Sequence, residues 1–164
     1  MDFLNHVILN RQTIQVPGLN ILIHWFFPVS FFPDFSLIFA LPLSLHLLNV
    51  ILIFEIPDRE ADINGGKQNF IVKRGRQKSF LLISIIFWLS SIYFLILALS
   101  GWYQTFINFW LITSVSFIPS IISTYTYLKK PLEQKIATKY AIRNALSLFT
   151  VSICILAYFI YLQF

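Results

Sequence analysis

The stretch SFLLISIIFWLSSIYFLILALS, residues Ser79–Ser100, contains no charged side chain. Apolar residues fill it almost without interruption and do not alternate with polar ones. A run of roughly 20 such residues is long enough, as a helix, to cross a hydrocarbon core about 30 Å thick. The stretch therefore predicts a membrane-spanning α-helix.

The rest of the chain has the same character. Its 164 residues are 57% hydrophobic and 12% charged, and its mean hydropathy is +0.74, which is typical of an integral membrane protein. Five apolar blocks are candidate spans: Pro17–Phe32, Phe35–Ile56, Ser79–Ser100, Thr105–Leu128 and Tyr140–Phe164. Residues 1–16 look like the tail of a preceding helix or loop. Because only helices and closed barrels satisfy their backbones in lipid, we expect an all-α transmembrane bundle of about five spans, forming a single domain over 1–164.

The basic residues indicate how the chain crosses the membrane. All 12 fall at Arg11, within 59–78 or within 129–143. If the third and fourth blocks form a hairpin, the two basic segments share one face of the membrane, and the positive-inside rule makes that face cytoplasmic. This topology explains the net charge of +5, so we do not expect nucleic acid as a partner. The segment Lys129–Lys139 is interpreted as an ordinary basic connector that anchors the topology.

The connection at 57–78 is predicted to be a cytoplasmic loop with a short helix inside it. Pro57 suits the first turn of a new helix, and Gly65-Gly66 suits its end. In such a helix Asp58 and Asp62 lie at i and i+4, so both carboxylates project from one face. Glu55, one turn earlier, lies near the same stripe.

Two like charges at this spacing destabilise an isolated helix by a few tenths of a kcal/mol, which raises the question of what compensates. One answer is the positive end of the helix dipole, which favours Asp58, and another is simple solvation. A third is Mg²⁺, which prefers carboxylate oxygens, water and substrate phosphate. The neighbouring cations that could hold phosphate oxygens are Lys67, Lys73, Arg74, Arg76 and Lys78.

The histidines, the cysteine and the polar residues of the apolar blocks are less informative. His6, His24, His46 and Cys154 are scattered without the spacing of a zinc site. His46 and Asn49 lie one turn apart on the helix that leads to Glu55. We interpret them as interhelical hydrogen-bonding groups, with contact to a substrate as the alternative.

The run Glu55-Ile-Pro-Asp58-Arg-Glu-Ala-Asp62-Ile-Asn-Gly-Gly-Lys67, followed by Ile71-Val72 and Gly75, resembles the second aspartate-rich motif of the UbiA superfamily of intramembrane prenyltransferases. It is most similar to the branch that includes 1,4-dihydroxy-2-naphthoate prenyltransferase. The resemblance implies that the chain corresponds to the fifth to ninth helices of that fold. The motif would then lie on the cytoplasmic face.

The resemblance also implies roles for these residues. Asp58 and Asp62 would be catalytic and, with Glu55, would hold Mg²⁺ against the diphosphate of a polyprenyl donor. Lys67, Arg74 and Arg76 would bind that diphosphate, and an aromatic acceptor would receive the prenyl group. The sequence differs from the family at Phe54 and at Gln68-Asn69, and it contains no Asn-Asp-x-x-Asp-x-x-x-Asp, the family's first motif.

These observations leave two expectations open. The chain is the carboxy-terminal part of a Mg²⁺-dependent prenyltransferase, inactive alone, whose partner is an amino-terminal half that carries the first motif. Alternatively, it is a non-catalytic membrane remnant or interaction module. A CDP-alcohol phosphotransferase is disfavoured because the sequence lacks Asp-Gly-x-x-Ala-Arg upstream of the aspartates.

Overall fold

The computed structural model describes residues 33–101 and 107–162, and this part of the chain is helical without strands. Four helices follow one another: α1 Pro33–Asn64, α2 Phe70–Ser100, α3 Phe109–Lys129 and α4 Gln134–Tyr161. All four are long and apolar enough to cross a membrane, α1 over Ile38–Asn64. The described part of the chain is therefore all-α, and its four candidate spans are those of a multi-pass membrane protein.

The helices match the expected spans to different degrees. Three of the apolar blocks lie largely within α1, α2 and α4, and the block Thr105–Leu128 is represented by α3 from Phe109 onward. The block Pro17–Phe32 and the tail 1–16 lie outside the described residues. The chain divides into two compact units, Met1–Ala40 and Leu41–Phe164, and the contacts reported below lie within the second unit.

The predicted helix break before Pro57 is wrong, because α1 continues through Pro57 to Asn64. The prediction at Gly65-Gly66 is confirmed: Gly66 has φ 72°, and the amide of Lys67 donates to the carbonyl oxygen of Asp62 at 2.9 Å. Residues 57–78 are thus mainly helical, with a connection of only 65–69. A residue far along the chain contacts α1 at this point, since the Gln134 side chain donates to the Pro57 carbonyl oxygen. This contact favours the continuation of the helix.

Helix α2 begins with a side-chain cap and then bends. The Asn69 side-chain oxygen accepts from the amide of Val72 at 2.9 Å, which satisfies one of the free donors of the first turn. Gly75 interrupts the helix with φ 80° and ψ 164°, a backbone conformation that is essentially restricted to glycine. The five residues before Gly75 therefore form a short helical segment that is separated from the rest of α2 by this break.

Hydroxyl groups line the contact between α2 and α3. Ser91 Oγ donates to the Ser116 carbonyl oxygen at 2.7 Å and lies 2.8 Å from Ser120 Oγ. One end of the contact is closed by Ser84 Oγ and Thr124 Oγ1, 2.9 Å apart. These pairs run in opposite directions along the two helices, so α2 and α3 form the expected antiparallel hairpin. Lipid tails are as apolar as the surface of a neighbouring helix, so the hydrophobic effect does not drive helices together within the membrane. Hydrogen bonds of this kind help to join them instead.

A buried apolar cluster packs α1, α2 and α4 together, and α4 also contacts α3, where Asn144 Nδ2 donates to Thr126 Oγ1 at 3.0 Å. Their shared core contains Ile53 and Ile56 from α1 and Phe80, Ile83 and Phe87 from α2, all nearly or fully buried. Helix α4 contributes small residues one turn apart, which permit close approach of the backbones: Ala137, Ala141 and Ala145.

The two polar residues predicted on α1 behave differently. Ser90 Oγ lies 3.2 Å from His46 Nε2, so the interhelical hydrogen bond is confirmed for His46. Asn49 is fully buried, and neither of its polar atoms has a partner in the part of the chain that the structure describes.

Candidate functional site

The candidate site lies at the end of α1, in the turn 65–69 and in the first turns of α2. The connection between α3 and α4 lies at the same end of the molecule, because Arg76 Nη1 donates to the Leu132 carbonyl oxygen at 2.9 Å. We call residues 55–78 and 129–143 together the charged end. Every basic residue described by the structure lies in it.

Asp62 is the most engaged carboxylate of the charged end. Its side chain is buried, with 6% of the residue exposed. Its Oδ1 lies 2.7 Å from Lys67 Nζ, and its Oδ2 accepts from Asn69 Nδ2 at 2.8 Å. Because Asn69 also caps α2, the Asp62 carboxylate connects the end of one helix to the start of the next.

The pKa of Lys67 is affected by the carboxylates of α1. Its ammonium is exposed, and its pKa is raised above the usual 10.5, chiefly by the hydrogen bond to Asp62 and by the charge of that group. Desolvation of Lys67 opposes this rise, and the charges of Asp58 and then Glu55 raise the pKa by smaller amounts than desolvation lowers it. All three carboxylates therefore act on one ammonium group, as expected for residues on one stripe of a continuous helix.

Asp58 and Glu55 are available to a ligand. Asp58 is exposed and Glu55 half-buried, and neither forms a hydrogen bond or an ion pair within residues 33–101 and 107–162. No group of three potential metal-ligating side chains converges within those same residues. Mg²⁺ commonly takes only one or two carboxylates and completes its shell with water and phosphate.

The structure separates the three cations expected to bind diphosphate. Lys67 lies beside the carboxylates, whereas Arg76 is buried and places its Nη2 2.8 Å from Glu60 Oε1. Arg74 lines a groove of about 370 Å³ on α2, and the other groove residues are Phe70, Lys78, Leu81, Leu82 and Ile85. Arg76 thus holds helices together, while Lys67 and Arg74 are open to a ligand.

Reasoning from the sequence missed three contributors to the site. Asn69 was noted only as a departure from the family, although an Asn directly before a helical run is a capping signal. The pairing of Glu60 with Arg76, sixteen residues away, leaves no local signal in the sequence. Arg59 Nε likewise donates to the Ile71 carbonyl oxygen at 3.2 Å and fastens the start of α2 to α1.

Comparisons with known proteins add no family assignment. No family model, no curated protein and no solved structure matches this chain.

Proposed function

We propose that this chain is the carboxy-terminal part of a UbiA-type intramembrane prenyltransferase, which transfers a polyprenyl group from its diphosphate to an aromatic acceptor. One observation carries the proposal: Asp58 and Asp62 lie at i and i+4 on the last turns of the continuous apolar helix α1, and Asp62 Oδ1 lies 2.7 Å from Lys67 Nζ. The Asp62 carboxylate already holds one cation, and the carboxylate oxygens of Asp58 and Asp62 are ligands of the kind that Mg²⁺ prefers. The charged end would face the cytoplasm, in keeping with the positive-inside rule.

The residues present fit Mg²⁺ by the chemistry of their donors. Asp58 and Glu55 offer carboxylate oxygens without protein partners in the described part of the chain, and Asp62 offers Oδ1 once Lys67 moves away. Bound there, Mg²⁺ would neutralise the charge that grows on a departing diphosphate. The first aspartate-rich motif would come from the amino-terminal part of the enzyme.

The cations near the start of α2 suit the diphosphate of the donor, and the apolar face of α2 suits its polyprenyl chain. Lys67, displaced from Asp62, would reach the diphosphate oxygens with its exposed ammonium. Arg74 and Lys78 lie above Leu81 and Ile85 in the α2 groove, so that an anionic head group and an apolar tail both find matching surfaces. The polyprenyl chain would then remain in contact with the bilayer during transfer.

The test is prenyl transfer in membranes that contain both this chain and an amino-terminal part with the first motif. We expect Mg²⁺-dependent transfer from a polyprenyl diphosphate to 1,4-dihydroxy-2-naphthoate. The double variant Asp58→Asn/Asp62→Asn should lose at least about a hundredfold in rate, because the charge stabilisation it removes acts mainly in the transition state. Glu133→Gln is the control, because this exposed carboxylate forms no ion pair within the described residues. Transfer that is equal in the double variant and the control would refute the metal role.

A second candidate is a non-catalytic membrane module. It is favoured by the engagement of both Asp62 oxygens with Lys67 and Asn69 and by the use of Arg76 to join Glu60 and Leu132. In that case the charges of this end would serve to connect helices. Mg²⁺-dependent turnover that is lost on substitution of Asp58 would exclude this candidate.

A further inference from the structure

Two cations from different helices converge on one aromatic ring at the charged end. Lys129 Nζ, at the end of α3, lies 5.2 Å from the centroid of the Tyr125 ring. Arg143 Cζ, in α4, lies 5.3 Å from the same centroid. Tyr125 remains 42% exposed, and Tyr140 packs beside it with 6.4 Å between ring centroids. The exposed Tyr125 ring thus has a cation from each of two helices within 5.3 Å of its centroid.

These charges lack acidic partners. Within the described residues, the ion pairs join Lys67 to Asp62 and Arg76 to Glu60, and neither Lys129 nor Arg143 takes part in one. Arg143 is also the last of three exposed basic residues at i, i+4 spacing on α4, after Lys135 and Lys139. Like charges at this spacing destabilise a helix, and an external anion would relieve the repulsion.

The surface below these cations is apolar. On α3 the exposed residues deeper in the span are Ile121 and Ile118. On α4 they are Leu146 and Phe149. Both helices are candidate membrane spans, so these side chains face the environment at a depth where acyl chains lie. A tyrosine at the boundary of such a surface is typical of the membrane interface.

We propose that Tyr125, Lys129 and Arg143 bind the phosphate head group of an anionic phospholipid, with its acyl chains along the apolar residues of α3 and α4. Basic sites between transmembrane helices are suited to anionic head groups, because charge and apolar surface are satisfied together. The Arg143 guanidinium can contact phosphate through two N–H groups while it remains on the ring. This site is separate from the carboxylates of α1 and does not depend on the proposed reaction.

The test measures lipid retention by the purified full chain. Protein in detergent is mixed with equal amounts of phosphatidylglycerol and phosphatidylcholine, and native mass spectrometry counts the lipids bound. We expect the wild type to retain phosphatidylglycerol preferentially. Lys129→Gln/Arg143→Gln should weaken that retention about thirtyfold, the effect of losing two interfacial charges. The control Lys73→Gln removes one exposed charge on α2, away from the Tyr125 ring, and should weaken retention far less than Arg143→Gln alone.

Three results would overturn the proposal. The first is equal retention of the two lipids by the wild type, and the second is a loss in the control as large as that in the test variant. The third is displacement of phosphatidylglycerol by inorganic phosphate as readily as by lysophosphatidylglycerol, which would indicate a site for a free anion. If the double variant is not monodisperse, Arg143→Gln is compared with Arg143→Lys, which keeps the charge. Equal retention by these two variants would likewise contradict the proposal.

Discussion

Asp62 Oδ1 and Lys67 Nζ lie 2.7 Å apart across the turn that ends α1. The carboxylate is buried and the ammonium is exposed, so the pair is accessible from one side only. The amide of Lys67 also donates to the Asp62 carbonyl oxygen, which fixes the turn beneath the ion pair. A single residue thereby closes the helix with its backbone and neutralises a carboxylate with its side chain.

The first prediction concerns the protonation of Lys67. Asp62→Asn should return the pKa of Lys67 toward 10.5, because the Asp62 hydrogen bond and charge are the largest causes of its raised value. Asp58→Asn and Glu55→Gln should lower the pKa less, since they act through charge alone. The measurement is an NMR titration of the side-chain carbon next to the ammonium. A larger effect from Asp58→Asn than from Asp62→Asn would contradict the geometry described for this turn.

The same pKa fixes the pH range in which the pair stabilises the protein. A pKa raised in the folded state means that the stabilisation is complete below the ordinary value of 10.5 and is lost as pH rises through the raised value. The difference in stability between wild type and Asp62→Asn should therefore be constant near neutral pH and shrink only in alkaline solution.

The second prediction concerns Gly75. Gly75→Ala should lower the free energy of unfolding by about 1–3 kcal/mol, because alanine is strained at φ 80° and ψ 164°. A Cβ at this position would meet no atom within 4 Å, so the effect would be conformational and not steric. Gly101→Asn is the control, since φ 70° and ψ 4° are left-handed values that asparagine tolerates. Equal unfolding midpoints for Gly75→Ala and wild type in detergent would show that the break in α2 is absent.

The third prediction concerns the pair between Arg76 and Glu60. Glu60→Ala should destabilise the protein by about 1–2 kcal/mol, below the roughly 3–5 expected for a fully buried pair, because water screens a carboxylate that is 55% exposed. Arg76→Met should remove the buried charge, so that adding Glu60→Ala to the Arg76→Met variant changes the free energy of unfolding very little. Unfolding of the two single variants and the double variant measures the coupling. Additive effects would mean that the two side chains do not interact.

Much of the fold follows from local sequence pattern. The apolar composition of α2, α3 and α4 requires no partner to be recognised as helical and lipid-compatible, and Gly65-Gly66 marks the end of α1 by backbone freedom alone. The path of α1 through Pro57 could not be predicted in this way. Its continuation is held by Gln134, Asn69 and the Ile71 carbonyl oxygen, which accepts from Arg59; these groups contact α1 only after the chain has returned.

The candidate site was predictable in part for the same reason. The i, i+4 spacing of Asp58 and Asp62 places them on one face of any helix, and α1 is a helix there. Which cations are open to a ligand and which join helices depends on how deeply each is buried. The spacing of the residues in the sequence does not determine this. Arg74 and Arg76 are two residues apart, yet one lines an open groove and the other is buried against Glu60 and Leu132.

The hydroxyl pairs between α2 and α3 bear on biosynthesis. Hydrogen bonds among Ser91, Ser116 and Ser120 join the hairpin, and lipid offers no competing hydrogen-bond partners. All of these residues lie in α2 and α3, so no later segment of the chain is needed to form the bonds. These two helices can therefore leave the translocon as a finished pair. The first and last described helices would then dock onto a template already assembled in the bilayer.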